Sequence, residues 1–225
     1  MIKNFILNTE ILRDKLFNFS NFQQNTLINY FKKNLDDVRD IKIIYDIGAH
    51  RGTWTKQIKK VFNNGIFFLF EANIKNNKYL ENDNLNFFNV LLSNKVEKKI
   101  FYTLNSPGDS YLKQKKGFNK ARKTRLKSIT LDKFIKLKKI PKPNFIKIDT
   151  QGSEIDILKG GRSTLKSCKF ILLECPIIEY NEKAPNIYEY LNFMKSMKYL
   201  PVELIEKHIH KNLLVQIDIL FKKND

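Results

Sequence analysis

The segment Ile43–Thr55, with the sequence IIYDIGAHRGTWT, determines how the rest of the chain is interpreted. It begins with an apolar run that contains Asp46 near its end, continues through the pattern Gly48-x-x-x-Gly52, and then reaches a threonine. This pattern predicts a buried parallel strand, a tight turn and the N-terminus of a helix. Glycine leaves room for a ligand near the backbone, and small ligands bind at the carboxyl ends of such strands. The turn is therefore the first candidate for a binding site.

Composition narrows the class of protein without identifying it. The chain has 225 residues with 41 Lys and Arg against 23 Asp and Glu, a formal net charge of +18. This excess suggests acidic partners such as phosphates, anionic glycans, nucleic acid or lipid headgroups, although lysines scattered over solvated faces produce the same total. No apolar run is long enough to span a membrane, and the N-terminus lacks the apolar segment of a signal peptide. A cytoplasmic location is therefore expected.

Apolar runs alternate with helical periodicity along most of the chain, which predicts a doubly wound α/β sheet. Residues 1–40 are expected to form an N-terminal helical segment packed on the core, and residues 41–225 a single domain. Predicted strands cover about residues 42–47, 66–71, 85–92, 98–104, 144–149 and 170–174, and predicted helices about 53–62, 74–82, 130–138, 150–167 and 186–198.

Two further regions stand apart from this alternation. The stretch Lys113–Lys127 contains eight Lys or Arg and no acid, so it is predicted to be an exposed loop. Near the C-terminus, Leu200–Ile205 and Leu213–Phe221 are extended runs joined by the polar segment 206–212, which predicts a hairpin.

Four predicted strands end in an acidic residue: Asp46, Glu71, Asp149 and Glu174. In a parallel sheet these carboxylates would lie along one edge, which suggests a site. Glu71 lies 25 residues after Asp46, close to the offset of about 20 at which a second-strand acid binds a ribose diol. The turn lacks the Gly-x-Gly-x-x-Gly pattern of nicotinamide-binding proteins, and its single glycine pair favours S-adenosylmethionine instead.

These residues, with several later segments, resemble the FkbM family of class I methyltransferases. The resemblance covers about residues 42–175 and rests on Asp46–Thr55, Phe70–Ala72, Asn89–Ser93, Ile146–Glu154, Leu158–Gly161 and Leu172–Glu174. It implies a Rossmann-like fold in which a mostly parallel seven-stranded sheet has an antiparallel last strand and helices on both faces. It also implies methyl transfer from S-adenosylmethionine to a hydroxyl oxygen, commonly on a sugar or a polyketide-type metabolite.

The resemblance further implies which residues bind the cofactor. Asp46, Gly48 and Gly52 would hold the methionine part, Glu71 would bind the ribose, and Asn89–Leu91 would lie beside the adenine. The full predicted set is Asp46, Gly48, Ala49, His50, Gly52, Thr53, Glu71, Ala72, Asn89, Val90, Leu91 and Asp149. His50 stands where the family more often has Asn, and Ala72 follows the ribose acid where proline is usual.

The acceptor side is predicted from chemistry. An alcohol is a poor nucleophile at neutral pH, so its hydroxyl must be aligned and its proton accepted. Asp149 is the first candidate for the base, and Glu154 could join it or could simply stabilise a helix start. Glu174 and His208 are further candidates. No metal ligand is assigned, and a divalent cation held by such carboxylates is the less favoured alternative.

The predicted function is therefore S-adenosylmethionine-dependent O-methylation of a carbohydrate or another hydroxyl-bearing small molecule, acidic or phosphate-linked if the basic stretch contacts it. A nucleic-acid methyltransferase is an alternative that the charge favours, but the chain lacks an Asn-Pro-Pro-Tyr motif and a Pro-Cys catalytic turn, and nucleic acid is the less expected partner. A third alternative is a non-catalytic protein that binds polyanions on a methyltransferase scaffold.

Overall fold

A computed structural model describes residues 22–81, 85–103, 108–113, 121–179 and 181–224. Its strands are β1 (Ile43–Ile47), β2 (Ile66–Glu71), β3 (Asn86–Asn89), β4 (Leu91–Leu92), β5 (Lys98–Thr103), β6 (Arg122–Ile129), β7 (Phe145–Ile148), β8 (Phe170–Pro176), β9 (Tyr199–His210) and β10 (Leu213–Lys223). Seven of them form one sheet in the order β3-β2-β1-β7-β8-β10-β9. The first five are parallel, and β10 is antiparallel to both of its neighbours. The predicted sheet, including its antiparallel last strand, is confirmed.

Helices connect the parallel strands, as the alternation predicts. They are α1 (Phe22–Lys33), α2 (Leu35–Arg39), α3 (Thr53–Ile58), α4 (Asn77–Glu81), α5 (Leu131–Lys138), α6 (Glu154–Lys159) and α7 (Ile187–Ser196), with short 3-10 turns at Ile74–Asn76 and Thr164–Ser167. Two starts have side-chain caps: the Thr130 oxygen accepts from Lys133 N, and Asn186 forms a capping box with Glu189. The single helix predicted over residues 150–167 is divided into α6 and the second 3-10 turn.

Side chains of the buried strands alternate between the two faces of the sheet. On one face, Tyr45, Ile146 and Leu173 belong to a buried cluster that includes residues of α5, α6 and α7. On the other, Ile44, Phe145 and Leu172 pack with residues of α1 and α3. Because both faces are covered, the parallel strands have nearly continuous apolar sequences.

The N-terminal prediction is only partly inside the described residues, since residues 1–21 lie outside them. Helix α1 places Leu27 and Phe31 in the second cluster, with less than 2% of either residue exposed. One side of α1 packs against β9 and the sheet, and this accounts for the helical spacing of the apolar residues in α1. Among the described residues, no helix has the length and apolar character needed to cross a membrane.

Two predictions of local structure require correction. The basic stretch is not a loop in its second half, because Arg122–Ile129 forms β6, paired antiparallel with β5 and parallel with β4; residues 114–120 lie outside the described part. Its charges are exposed, but exposure does not prevent backbone pairing with a neighbouring strand. The segment predicted as one strand over 85–92 divides between β3 in the large sheet and β4 in the small one.

The C-terminal hairpin is longer than predicted. Strand β9 continues to His210, and only Lys211 and Asn212 form the turn, both with positive φ (48° and 63°). Two consecutive positive φ values are typical of the tight type I′ turn. The polar residues 206–210 therefore belong to a strand, which places His208 beside β10 rather than in a connecting loop.

Candidate active site

A cavity of about 240 Å³ opens at the carboxyl ends of the central strands. The chain runs outward from β1 to β2 and β3 and then crosses to β7 on the other side of β1, so the order of strands reverses between β1 and β7. Ligands of open α/β sheets bind at this kind of crevice. The turns after β1 and β7, which contain Gly48 and Asp149, both line the cavity.

The turn after β1 requires glycine at its first position. Gly48 has a φ of 77°, and a Cβ there would lie 1.8 Å from the carbonyl oxygen of Asp149. The N–H groups of Gly48 and Ala49 donate to the carbonyl of Phe70, which ties the turn to β2. Gly52 also has a positive φ, 72°, where α3 begins. The turn therefore lies close against both neighbouring strands, and no side chain fits between it and Asp149.

Glu71, at the end of β2, is hydrogen-bonded to this turn. Its carboxylate accepts hydrogen bonds of 2.7 Å from the backbone N–H groups of both His50 and Asn73. Burial raises the pKa of Glu71 to about 7, against the opposing effect of these two bonds. Asn89, which is predicted to lie beside the adenine, donates its side-chain amide to the carbonyls of Glu71 and Ala72 and so holds the end of β2.

The cavity has an apolar wall next to Glu71. It is made by Phe70, Val90, Leu91, Leu92 and Phe101. Of these, Val90 and Leu91 were predicted from the sequence. Phe101 was not, because it comes from β5 in the small sheet, whose position against the large sheet has no local sequence signal.

A buried lysine connects two of the strand-ending acids. Lys147 Nζ lies 3.7 Å from Asp46 and 3.1 Å from Asp149. Asp46 is completely buried, does not line the cavity, and accepts a 2.7 Å hydrogen bond from Thr55 Oγ1. Burial raises the pKa of Asp46, whereas Lys147 keeps the pKa of Asp149 below its usual value although burial acts in the opposite direction. Asp149 is thus held as a carboxylate at the cavity wall.

Gln151 joins Asp149 to the end of β8. Its side-chain amide donates to Asp149 Oδ1 at 3.1 Å and to Glu174 Oε2 at 2.6 Å. Gln216 donates to the other carboxylate oxygen of Glu174. Burial, followed by the charges of Asp149 and Asp218, raises the pKa of Glu174 well above its usual range. Gln151 has a φ of 58°, which is uncommon for a residue with a side chain and is found where the surrounding structure enforces it.

Glu154 has a different environment from Asp149. It is fully buried, it does not line the cavity, and burial raises its pKa. Its carboxylate accepts from the backbone N–H groups of Thr150 and Gly152, at 2.7 and 3.2 Å, and from the hydroxyl of Tyr190. These contacts hold the turn between β7 and α6 in place.

His208 is half-buried, and its Nε2 lies 3.2 Å from Asp218 Oδ1. The hydrogen bond to Asp218 raises the pKa of His208. Neither residue lines the cavity, but both lie beside Glu174, which does.

The cavity brings together about half of the residues predicted from sequence. Gly48, His50, Glu71, Ala72, Val90, Leu91 and Asp149 line it, whereas Asp46, Ala49, Gly52, Thr53, Asn89, Glu154 and His208 do not. Sequence reasoning missed Lys147, Gln151, Asp109 and Tyr111. A lysine within the apolar run Phe145–Asp149 was a usable signal, because a buried cation requires an anionic partner. Asp109 and Tyr111 follow β5 and had no such signal.

Comparisons with known proteins agree with this architecture. The model of the methyltransferase FkbM domain matches residues 46–201. Hexuronic acid methyltransferase AglP of Haloferax volcanii is 37% identical over 49 residues, which are 22% of this chain and 20% of that protein. The chain therefore matches only about a fifth of the length of this relative.

Two solved structures are similar over most of the chain. Magnesium protoporphyrin IX methyltransferase of Synechocystis PCC 6803 has a TM-score of 0.50 at 6% identity, covering 90% of this chain and 79% of that one. Precorrin-6y C5,15-methyltransferase of Geobacter metallireducens has a TM-score of 0.48 at 12% identity, covering 85% and 86%. The first of these supports the class I methyltransferase fold. With the domain match over most of its length, the chain belongs to the FkbM family of S-adenosylmethionine-dependent methyltransferases.

Proposed function

We propose that this methyltransferase transfers the methyl group of S-adenosylmethionine to a hydroxyl oxygen of a sugar or glycan. The observation that carries the proposal is the position of Asp149. Its carboxylate lines the cavity next to the Gly48 turn, is paired with buried Lys147, and receives a hydrogen bond from Gln151. A carboxylate that can accept a proton is therefore held beside the turn that is predicted to bind the cofactor.

The cavity residues fit S-adenosylmethionine. A carboxylate for a ribose diol is available in Glu71, and the apolar wall with Val90 and Leu91 suits the adenine. Gly48, His50 and Ala72 line the space between these groups. When bound, S-adenosylmethionine supplies an electrophilic methyl group. Ala49, Gly52, Thr53 and Asn89 are proposed to act on the cofactor only by holding the turn and the end of β2.

Asp149 is the proposed general base. An alcohol becomes strongly acidic as its oxygen forms a bond to carbon, so a carboxylate of low pKa is able to take the proton at that stage. Lys147 stabilises the carboxylate, and Gln151 orients it. Glu174, whose pKa is raised by burial and by the charge of Asp149, is joined to Asp149 through Gln151. Asp46 and Glu154 are proposed to be positioning residues, because their carboxylates are directed into the protein.

The relative named as a hexuronic acid methyltransferase supports an acidic sugar as acceptor. Charge on this chain is compatible with that choice, since cations outnumber acids by 18. The match covers a short segment, so the proposal extends to the class of acceptor and not to one sugar.

The test is a transfer assay with S-adenosylmethionine labelled on its methyl group. Neutral sugars, hexuronic acids, nucleotide sugars and RNA are offered separately to the full chain and to Asp149→Asn. Label should appear in a sugar hydroxyl and decrease at least about 100-fold in the variant, as expected for loss of a general base. Label in none of the sugars would contradict the proposal.

RNA is included because one surface favours a nucleic-acid substrate. The pairing of β5 with β6 places Lys98 opposite Lys127, Ile100 opposite Arg125 and Tyr102 opposite Lys123, so these side chains share one face. Four cations with an aromatic residue beside them, at one end of the row, resemble a polyanion-binding surface. We call this the basic face. Label that appears only in RNA would make nucleic-acid methylation the better conclusion.

A further inference from the structure

Three neighbouring strands bring possible metal ligands together beside the cavity. Asp218 on β10 is directly opposite Glu174 on β8 and Glu206 on β9. His208, two residues beyond Glu206, therefore lies on the same face of the sheet as Asp218. One ligand atom each from Glu174, His208 and Asp218 lies within 4.8 Å of the others. Pairing register, rather than a flexible loop, determines this arrangement.

The electrostatics of this corner favour a cation. Two pairs of acidic side chains are directly opposite each other, Asp218 with Glu174 and Asp218 with Glu206. Like charges in that position destabilise a sheet. The imidazole of His208 is the basic group beside them, and the nearby lysine, Lys147, is already paired with Asp46 and Asp149. This concentration of acids occurs in a chain whose net charge is +18.

The distances also suit coordination. Nitrogen and oxygen ligands lie about 2.1 Å from Zn²⁺ and similar ions, so two ligands at a right angle or a tetrahedral angle are roughly 3.0–3.4 Å apart. His208 Nε2 and Asp218 Oδ1 are separated by 3.2 Å. One carboxylate oxygen of Glu174 lies within 4.8 Å of both atoms, and its two oxygens accept hydrogen bonds from Gln151 and Gln216. One imidazole and two carboxylates suit Mn²⁺ or Zn²⁺ better than Mg²⁺, which has little preference for imidazole.

We propose that Glu174, His208 and Asp218 bind one divalent transition-metal ion beside the acceptor part of the cavity. Glu174 lines the cavity and is joined to Asp149 through Gln151, so the ion lies next to the proposed general base. Resting on the proposed function, the role of the ion is to bind the acceptor oxygen and to lower the pKa of the hydroxyl. The binding site itself is independent of that role.

The test measures metal binding to the full chain without substrate. Protein treated with EDTA and freed of the chelator is titrated with MnCl₂, and free Mn²⁺ is followed by electron paramagnetic resonance. One ion per chain should bind, ZnCl₂ should displace it, and equimolar MgCl₂ should not. His208→Ala and the isosteric Asp218→Asn should each weaken binding at least tenfold. His210→Ala is the matched control, because His210 is an exposed histidine on the same strand, and it should bind Mn²⁺ like the wild type.

Absence of Mn²⁺ and Zn²⁺ binding by the wild type would overturn the proposal, as would equal binding by His208→Ala and the wild type. Circular dichroism of each variant identifies loss of fold, and the wild-type result stands without any variant. Calorimetric titration of S-adenosylhomocysteine into EDTA-treated protein is a separate measurement. If S-adenosylhomocysteine does not bind, the result counts against the proposed function. The metal site is tested by the Mn²⁺ titration alone.

Discussion

The two halves of the cavity are built in different ways. The half that is proposed to bind the methyl donor, here called the donor side, is formed at the ends of β1, β2 and β3. It consists of backbone turns, an apolar wall and the acid Glu71, which is bonded to main-chain N–H groups. The half that is proposed to bind the acceptor, here called the acceptor side, lies where β7 and β8 end and β10 begins. It consists of side chains that bond to each other, with Gln151 between Asp149 and Glu174. Donor-side geometry depends on backbone conformation, and acceptor-side geometry depends on paired charges.

This difference predicts which amino-acid substitutions each side of the cavity tolerates. A backbone turn resists changes at its glycines but accepts many side chains elsewhere. A network of buried charges depends on every member, because removal of one leaves another without a partner. We therefore expect substitutions on the acceptor side to affect folding and turnover most, and substitutions on the donor side to affect cofactor affinity.

The largest expected effect comes from Lys147→Met. Lys147 is the cation between Asp46 and Asp149, and its side chain is only 9% exposed. Its removal leaves the fully buried Asp46 and the partly exposed Asp149 without a cation, and should lower the free energy of unfolding by about 3–5 kcal/mol. Urea denaturation measures the change. Lys136→Met, an exposed position on α5, is the control and should change stability by less than about 0.5 kcal/mol. If Lys147→Met lowers the free energy of unfolding by less than roughly 1 kcal/mol, the acceptor side does not depend on paired charges as described.

Asp149→Asn tests whether Asp149, which lies between the two sides, acts on the acceptor or on the cofactor. The amide keeps the shape and loses the base, so turnover should decrease by about 100-fold or more. Affinity for S-adenosylhomocysteine should change by less than about threefold, or roughly 0.6 kcal/mol, if Asp149 acts on the acceptor. Single-turnover methylation and calorimetry measure these quantities. A large loss of affinity with little change in turnover would instead assign Asp149 to the donor side.

Glu71→Gln should affect the donor side alone. Loss of charged hydrogen bonds to the ribose should weaken S-adenosylhomocysteine about tenfold at pH 8, or roughly 1.4 kcal/mol. Because burial raises the pKa of Glu71 to about 7, the wild type should bind more tightly as the pH rises from 6 to 8 and the carboxylate forms. The variant should show no such rise over this range. The control is Glu81→Gln, at an exposed position on α4, which should keep the pH dependence of affinity that the wild type shows. If Glu71→Gln also keeps that pH dependence, Glu71 is not the group that titrates.

The smallest expected effect comes from the basic face, which belongs to neither side. Lys127 is directly opposite Lys98 on the β5–β6 pair. Lys127→Gln removes repulsion between like charges and should raise the free energy of unfolding by a few tenths of a kcal/mol, roughly 0.2–0.5. Thermal unfolding at low salt measures it. A decrease in stability would show that Lys127 has a favourable partner.

The contrast also explains how much the sequence could predict. The strands β1, β2, β7 and β8 were predictable because burial on both faces produces apolar runs, and Glu71 because its spacing from Asp46 follows the length of one βαβ unit. Lys147 and Gln151 were missed because one partner of each, Asp46 on β1 and Glu174 on β8, comes from another strand. Their roles depend on contacts that no periodicity describes.

Glu154 shows the limit most clearly. Its position one turn after Asp149 suggested two roles equally, a second catalytic acid or a support for the helix start. Its side chain is directed into the protein, where it accepts a hydrogen bond from Tyr190 in α7, and this favours the supporting role. Strand β6 was missed for a related reason, because composition indicates exposure but not whether an exposed segment pairs with a neighbour.

The central claim is that the Gly48 turn and Glu71 bind the donor while Asp149 acts on the acceptor. Calorimetric titration of S-adenosylhomocysteine into the wild type, Glu71→Gln and Asp149→Asn at pH 8 tests it most directly. We predict one molecule bound per chain, affinity reduced about tenfold in Glu71→Gln, and nearly wild-type affinity in Asp149→Asn. No binding to the wild type, or equal affinity in the wild type and Glu71→Gln, would contradict the account.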